Sequence, residues 1–198
     1  MKVLISGGVK NGKTYHAQRL AKALSGKGPL YYIATMAPVD REDDERIARH
    51  IAEREGWGFE TIECPTDIMS CVYRGRPEGV FLLDSTTALL ANEMFSKDGS
   101  VDHSAAERVA EELRAFASCV EGIVVVSDSI YSDAQTYSEL TQEYRISLAY
   151  IDRALAKSFD AVYEVCCGKI ICHKGSLLEG YGKESLENKE NKVQGGKV

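Results

Sequence analysis

Short runs of consecutive apolar residues alternate along the chain with longer segments in which apolar residues recur every three or four positions. Glycine, proline or polar residues bound each short run, which is typical of buried β-strands. Such strands are predicted at residues 2–6, 30–34, 59–63, 80–84, 123–127, 160–165 and 169–173. Gly168 stands between the last two runs, so these two strands are predicted to form a hairpin.

The segments between the strands have the period of amphipathic helices. Helices are predicted at residues 13–25, 40–55, 66–73, 86–95, 104–119 and 139–158, and the third of these is short. In the second helix, the apolar stripe contains Ile47, Ala48, Ile51 and Ala52. Continuous apolar strands separated by helices predict a three-layer α/β fold with a mostly parallel sheet and a C-terminal antiparallel hairpin.

A change of composition near the end of the chain predicts where the domain stops. Residues 1–176 contain all the predicted strands and helices and form one domain. Residues 177–198 are rich in Glu, Lys, Asn and Gly, and we expect them to be a disordered polar tail.

Composition narrows the classes of protein to which the chain can belong. The 198 residues have a formal net charge of −6, which argues against a broad nucleic-acid surface. No apolar run has the length of a membrane span, and the run after Met1 is too short for a signal peptide. The predicted location is therefore the cytoplasm. There we expect free, mostly buried thiols at Cys64, Cys71, Cys119, Cys166, Cys167 and Cys172.

Residues 7–14 match the Walker A pattern, G-x-x-x-x-G-K-T. The predicted phosphate-binding loop, or P-loop, consists of Gly7, Gly8, Val9, Lys10, Asn11, Gly12, Lys13 and Thr14. Its glycines let successive backbone N–H groups face one anion, and the following helix directs its positive N-terminus there. Lys13 is the candidate catalytic cation for the terminal phosphates, and Thr14 offers a hydroxyl to Mg²⁺. A strand precedes the loop and a helix follows it, so the fold is predicted to be a RecA-like P-loop NTPase that binds GTP or ATP.

Two aspartates follow apolar strands, where a second element of a P-loop site is expected. Asp84 ends the run VFLLD and is predicted to hold Mg²⁺ with Thr14; the alternative is that it caps the next helix. Asp128, after IVVVS, is a weaker candidate of the same kind.

The predicted helix at residues 40–55 concentrates basic side chains. Arg46, His50 and Arg54 are four residues apart and share one stripe, with Arg49 close by. His50 could act as a nucleophile and the arginines could grip phosphates. The alternative is an ordinary solvated face with ion pairs. His16, two residues after the P-loop, is predicted to be a packing or surface residue.

Taken together, these motifs resemble the bifunctional adenosylcobinamide kinase / adenosylcobinamide-phosphate guanylyltransferase family of cobalamin biosynthesis. The resemblance rests on GGVKNGKTYHAQ, on YIAT at residues 32–35, on RIARH at residues 46–50 and on FLLDSTTALLANEMF at residues 81–95. It extends from Met1 to about Gly175.

The resemblance implies two reactions on a corrinoid substrate. A hydroxyl of adenosylcobinamide takes a phosphoryl group from GTP or ATP, and a histidine, matched by His50, then carries GMP from GTP to the product. It also implies a homo-oligomer, such as a trimer, in which a neighbouring subunit helps to complete each site. Beyond the P-loop, it assigns nucleotide binding to Thr35, Arg46, Arg49, Glu63 and Asp84.

The chain departs from the usual family pattern at several positions. Ile51 follows His50 where many members have arginine, and Arg49 stands where some have a first histidine. Residues 128–131, DSIY, replace an Asn-Glu-Val-Gly turn. Two alternatives therefore stay open: a P-loop small-molecule kinase without guanylyl transfer, and a nucleotide-responsive regulatory protein.

Overall fold

A computed structural model describes residues 1–38 and 41–176, without the side chains of residues 42–44, 46 and 53. Within this part, seven strands form one sheet in the order β3-β2-β4-β5-β1-β6-β7. The strands are β1 (Lys2–Gly7), β2 (Leu30–Ala34), β3 (Glu60–Glu63), β4 (Val80–Asp84), β5 (Gly122–Val126), β6 (Ala161–Cys166) and β7 (Lys169–Lys174). All neighbouring pairs are parallel except β6 and β7, which are antiparallel.

Helices cover both faces of the sheet. They are α1 (Lys13–Ser25), α2 (Arg41–Glu53), α3 (Thr86–Met94), α4 (Ala105–Cys119) and α5 (Glu139–Ser158), with a 3₁₀ helix at Ile68–Tyr73. Alternate residues of the strands divide the core in two. Val3, Ile5 and Leu82 pack with α1 on one face, while Leu4, Ile33 and Leu83 pack with α3, α4 and α5 on the other. The predicted three-layer RecA-like fold with a C-terminal antiparallel pair is confirmed.

The predicted limits of the strands and helices agree with the structure to within two residues. Local signals account for this agreement. Gly26, with φ of 55°, follows the last residue of α1, and the Ser138 side chain accepts from the Thr141 N–H at the start of α5. Asp40, the predicted first residue of the second helix, and the predicted tail at residues 177–198 lie outside the described residues.

Most of the apolar stripe of α2 is exposed. Ala48 and Ala52 are exposed, and 51% of Ile51 is accessible, so the stripe does not pack into the core. Among the described side chains near this helix, those of Ile47, His50 and Arg54 are partly buried and are spaced three and four apart. These residues are partly buried because α2 follows the carboxyl end of β2, where its polar side chains face the P-loop.

The prediction for the cysteines is half right. All six are free thiols within the described part, but only Cys64 and Cys71 are buried. Cys166, Cys167 and Cys172 belong to the hairpin of β6 and β7, and they are exposed because β7 is an edge strand with one neighbour. In the described ranges, no helix has the length and apolar character to cross a membrane.

Candidate active site

The P-loop lies at the carboxyl edge of the sheet, between the end of β1 and the start of α1. Gly7 has φ of 150°, and a Cβ there would lie 2.4 Å from the Val165 carbonyl oxygen. The Asn11 side-chain amide donates to the same carbonyl, and its Oδ1 accepts from the Lys13 N–H at 3.2 Å. These contacts hold the loop against β6 with the N-terminus of α1 facing the same region, as an anion site requires.

Lys13 is held by two oxygens although its side chain is only 6% exposed. Its Nζ donates to the Gly8 carbonyl at 2.7 Å and lies 2.6 Å from Asp128 Oδ1. The other carboxylate oxygen of Asp128 accepts from the Thr87 hydroxyl at 3.2 Å. Asp128, a weaker candidate for the metal site in the sequence, is therefore the ion-pair partner of the P-loop lysine.

Asp84 ends β4 and receives two hydroxyl groups. Its Oδ2 accepts from Thr14 Oγ1 at 3.1 Å and from the Tyr32 hydroxyl at 2.9 Å. The next residue, Ser85, caps α3 by accepting from the Ala88 N–H. The cap of α3 is therefore Ser85 and not Asp84, and the Asp84 carboxylate faces Thr14 of the P-loop.

His50 approaches the same carboxylate from α2. Burial raises the pKa of Asp84, whereas the hydrogen bond from Tyr32, the charge of His50 and the hydrogen bond from Thr14 lower it. The Arg54 guanidinium lies 4.3 Å from the centre of the Tyr32 ring. We call Asp84, Thr14, Tyr32, His50 and Arg54 the Asp84 cluster. It brings the predicted metal pair and the predicted nucleophile together at the P-loop.

A family model described as "Cobinamide kinase / cobinamide phosphate guanyltransferase" matches residues 3–172. This chain belongs to the cobinamide kinase / cobinamide phosphate guanyltransferase family. The resemblance inferred from the motifs is confirmed.

Relatives within this family match nearly the full length of the chain. The bifunctional adenosylcobalamin biosynthesis protein CobU of Salmonella typhimurium is 27% identical over 180 residues, covering 85% of this chain and 97% of that protein. The corresponding CobP of Pseudomonas aeruginosa is 29% identical over 183 residues, covering 90% and 100%. Among solved structures, the flagellar accessory protein FlaH of Methanocaldococcus jannaschii matches with a TM-score of 0.45 and 14% identity, covering 89% of this chain and 81% of that chain.

Other predicted nucleotide-binding residues of this family member lie outside the Asp84 cluster. Thr35 is buried, and its hydroxyl donates to the Ser85 carbonyl at 2.9 Å and accepts from the Ser85 N–H at 2.8 Å, so it positions the end of β4. Glu63 is exposed at the end of β3, four strand spacings from β1, or about 19 Å. Arg49 is exposed on α2, and the side chain of Arg46 lies outside the described part.

Sequence reasoning missed three contributors to the site. Tyr32 lies in the YIAT motif and Thr87 in the motif at residues 81–95, but neither was assigned a role, although both hold a site carboxylate. Arg145 is 5% exposed and donates to the Ile130 carbonyl at 2.9 Å, which fixes the segment after β5. His16 is a packing residue, buried with Nε2 3.1 Å from the Gly168 carbonyl oxygen.

Proposed function

We propose that this chain catalyses both reactions of its family, on adenosylcobinamide as substrate. It first phosphorylates the hydroxyl of the aminopropanol arm with GTP or ATP, and then transfers GMP from GTP to the phosphorylated product. The observation that carries the proposal is that His50 and the P-loop Thr14 act on one carboxylate, Asp84. One bound triphosphate can therefore be attacked at the γ-phosphorus by a substrate and at the α-phosphorus by a protein imidazole.

The first reaction needs positioning and charge neutralisation more than covalent chemistry. The backbone of the P-loop and the N-terminus of α1 would bind the phosphates. Lys13 would leave Asp128 and bind the terminal phosphate oxygens. Its Nζ already lies at the phosphate-binding loop, 2.7 Å from the Gly8 carbonyl oxygen, so the movement would be short. This supports Lys13 as a catalytic residue that stabilises charge on the transferred group.

The Asp84 cluster fits a magnesium ion bound with the nucleotide. The Thr14 hydroxyl and the Asp84 carboxylate, both ligand types that Mg²⁺ prefers, have oxygens 3.1 Å apart. Burial raises the pKa of Asp84, and a cation beside the carboxylate would offset that cost. When bound, Mg²⁺ would neutralise the phosphate oxygens; the protein's part is to hold it through Thr14 and Asp84.

The second reaction assigns His50 as the nucleophile. An unprotonated ring nitrogen of His50 attacks the α-phosphorus of GTP, pyrophosphate leaves, and a guanylyl-histidine remains. A phosphate oxygen of the phosphorylated corrinoid then attacks that phosphorus, and the bond to the histidine nitrogen breaks. Arg54, a member of the Asp84 cluster whose guanidinium lies 4.3 Å from the centre of the Tyr32 ring, would stabilise charge on the phosphates.

The test uses GTP labelled at the α-phosphate. We expect the protein to acquire label that is labile to acid and stable to alkali, and to lose it in His50→Ala. The matched control is His173→Ala, because His173 is an exposed histidine on β7 and should leave the label unchanged.

The same experiment separates the alternatives. Corrinoid-dependent GTP consumption without any protein label would leave a kinase that lacks guanylyl transfer. If the protein binds nucleotide but converts no corrinoid, the enzymatic proposal is refuted and a regulatory protein is favoured.

We also propose that the enzyme is a cytoplasmic homo-oligomer, for example a trimer. The exposed stripe of α2 at Ala48, Ile51 and Ala52 supports a subunit contact, because apolar residues of an amphipathic helix usually pack against something. Light scattering on the eluting protein would measure the assembly, and a monomer at micromolar concentration would refute it.

A further inference from the structure

A cavity of about 370 Å³ opens between the P-loop and the segment that follows β5. Gly8 and Val9 of the P-loop form one side, and Ile130, Tyr137 and Tyr144 are among the residues opposite. The Gly8 carbonyl accepts from Lys13 Nζ at 2.7 Å. The cavity therefore begins where the terminal phosphates of a bound nucleotide would lie, and of the nucleotide-binding residues assigned above only Gly8 and Val9 line it.

The far wall of this cavity is fixed by a buried arginine. Arg145 donates to the Ile130 carbonyl at 2.9 Å and to Asp133 Oδ1 at 2.7 Å. Its guanidinium also lies 4.3 Å from the centre of the Tyr137 ring. These contacts tie the segment after β5 to α5, so the cavity is formed before any ligand binds, as small-molecule sites usually are.

Asp128 immediately precedes Ser129, which lines the cavity. One carboxylate oxygen is 2.6 Å from Lys13 Nζ, and the other accepts from the Thr87 hydroxyl. Tyr144, which lines the cavity, donates to the Thr87 carbonyl at 2.7 Å. Burial, and then the charge of Asp128, raise the pKa of the Tyr144 phenol, which agrees with a carboxylate close to this wall.

We propose that this cavity, the acceptor pocket, binds the hydroxyl-bearing arm of the phosphoryl acceptor, and that Asp128 takes the proton of that hydroxyl. Asp128 stands where many family members have asparagine, so this proton acceptor is particular to this chain. The inference rests on the proposed kinase reaction. In the resting protein Lys13 neutralises Asp128. When a nucleotide binds, Lys13 moves to the phosphates and leaves the Asp128 carboxylate free to accept a proton.

The proposed reaction transfers the γ-phosphoryl group to the acceptor hydroxyl. The acceptor oxygen forms a bond to the γ-phosphorus while its proton passes to an Asp128 carboxylate oxygen. The bond between the γ-phosphorus and the oxygen that bridges to the β-phosphorus breaks, and the nucleoside diphosphate leaves with that electron pair. Asp128 later releases the proton to water.

The volume and the lining residues of the acceptor pocket both favour binding of the hydroxyl-bearing arm rather than of the whole corrin macrocycle. A volume of about 370 Å³ is at the low end for small-molecule sites, so a corrin ring would remain at the mouth. Val9, Ile130 and the faces of Tyr137 and Tyr144 suit the carbon chain of a hydroxyalkyl amide. The carboxylate beyond them receives its terminal hydroxyl.

The decisive variant is Asp128→Asn, which keeps the shape of the side chain and removes the proton acceptor. With saturating corrinoid and GTP, we expect kcat for phosphoryl transfer to fall about 100- to 10,000-fold, with the KM for corrinoid within about threefold of wild type. Because Lys13 loses its carboxylate partner, nucleotide Kd should be equal or lower, an effect that structural damage would not produce.

A second variant tests the pocket separately from the proton transfer. Removal of an aromatic wall by Tyr137→Ala should raise the KM for corrinoid about tenfold, the equivalent of about 1.4 kcal/mol, and leave nucleotide Kd unchanged. Tyr73→Ala is the matched control, because Tyr73 is 90% exposed and lies outside the residues that line the pocket. Asp128→Glu, which retains a carboxylate, should recover part of the activity lost in Asp128→Asn.

The outcomes distinguish this inference from the proposed function. A wild-type protein that phosphorylates no corrinoid refutes the kinase, and the pocket with it. An active wild type with full turnover in Asp128→Asn overturns the proton-acceptor role, and an unchanged KM in Tyr137→Ala overturns the pocket. Far-UV circular dichroism spectra and unfolding midpoints that match those of wild type should show that both variants are folded.

Discussion

Asp84 joins the two functions assigned to the site. Its carboxylate receives the Thr14 and Tyr32 hydroxyls at 3.1 and 2.9 Å, and the charge of His50 acts on it. Each of these groups comes from a different element, so the carboxylate sets their relative positions as well as offering a ligand to the metal.

Asp84→Asn should weaken the response to magnesium in both reactions. The amide keeps an acceptor for one hydroxyl but loses the charge that would attract the hydrated cation. We expect the Mg²⁺ concentration for half-maximal rate to rise about 10- to 100-fold, measured by titration at saturating GTP. Asp98→Asn, at an exposed turn, is the control, and equal magnesium curves for the two variants would contradict the assignment.

A second buried carboxylate predicts a pH dependence of stability. Asp152 accepts from the Ser127 and Tyr131 hydroxyls, each at 2.8 Å, and burial raises its pKa to about 6. The folded protein therefore binds more protons than the unfolded chain between about pH 4 and pH 6. The contribution of this group is complete below about pH 4 and is lost as the pH rises through about 6.

Asp152→Asn removes this dependence. Relative to wild type, the variant should gain up to about 3 kcal/mol of unfolding free energy between pH 4 and pH 7, since one pKa unit corresponds to about 1.4 kcal/mol. Denaturant unfolding at both pH values measures the change. A difference between variant and wild type that stays constant with pH would show that Asp152 titrates normally.

At the level of elements, the loop between β1 and α1 is fixed by a close approach to β6. A Cβ on Gly7 would lie 2.4 Å from the Val165 carbonyl oxygen and 2.5 Å from the Asn11 amide nitrogen. In contrast, a Cβ on Gly8 would meet nothing within 4 Å. The two glycines of the same motif therefore have different physical roles.

Gly7→Ala should destabilise the protein by about 1–3 kcal/mol, because the added methyl group must displace backbone. Gly8→Ala is the matched control and should stay within about 0.5 kcal/mol of wild type. Thermal or denaturant unfolding of the two variants measures this. Equal stabilities would mean that the loop can shift away from β6 without cost.

The strands and helices could be predicted because the sequence patterns that specify them are local. The site could be predicted only in part, because it depends on how distant segments meet. Apolar runs and capping residues placed β4, α1 and α5 correctly from a few neighbouring residues. The partner of Lys13 could not be predicted, since it depends on how the chain turns after β5. The buried face of α2 could not be predicted for a related reason: its apolar stripe follows the helical period, but the packing of His50 and Arg54 at the sheet edge decides the orientation.

At the level of the whole molecule, one edge of the sheet gathers residues from most of the chain. Thr14, Tyr32, His50, Asp84 and Asp128 come from five separate segments. A ligand that contacts them all binds only the folded state, so it should stabilise the entire domain against unfolding.

Saturating GTP with Mg²⁺ should therefore raise the unfolding free energy by about 2.7 kcal/mol at a concentration of about 100 times Kd. Lys13→Ala should abolish most of this gain, because the terminal phosphates lose their cation. Lys27→Ala, an exposed lysine after α1, should keep it. Thermal shifts measured across a GTP titration test this, and an equal loss in both variants would count against a P-loop role for Lys13.

The ion pair of Lys13 with Asp128 also affects which anions bind to the P-loop of the nucleotide-free protein. Any anion that enters the P-loop must take the lysine from a carboxylate 2.6 Å away, and the free energy of that exchange is subtracted from its affinity. A triphosphate has several charged oxygens and a long row of backbone contacts to offset the loss. A single phosphate or sulfate has few, so we expect the exchange to leave such an anion little net affinity for the loop.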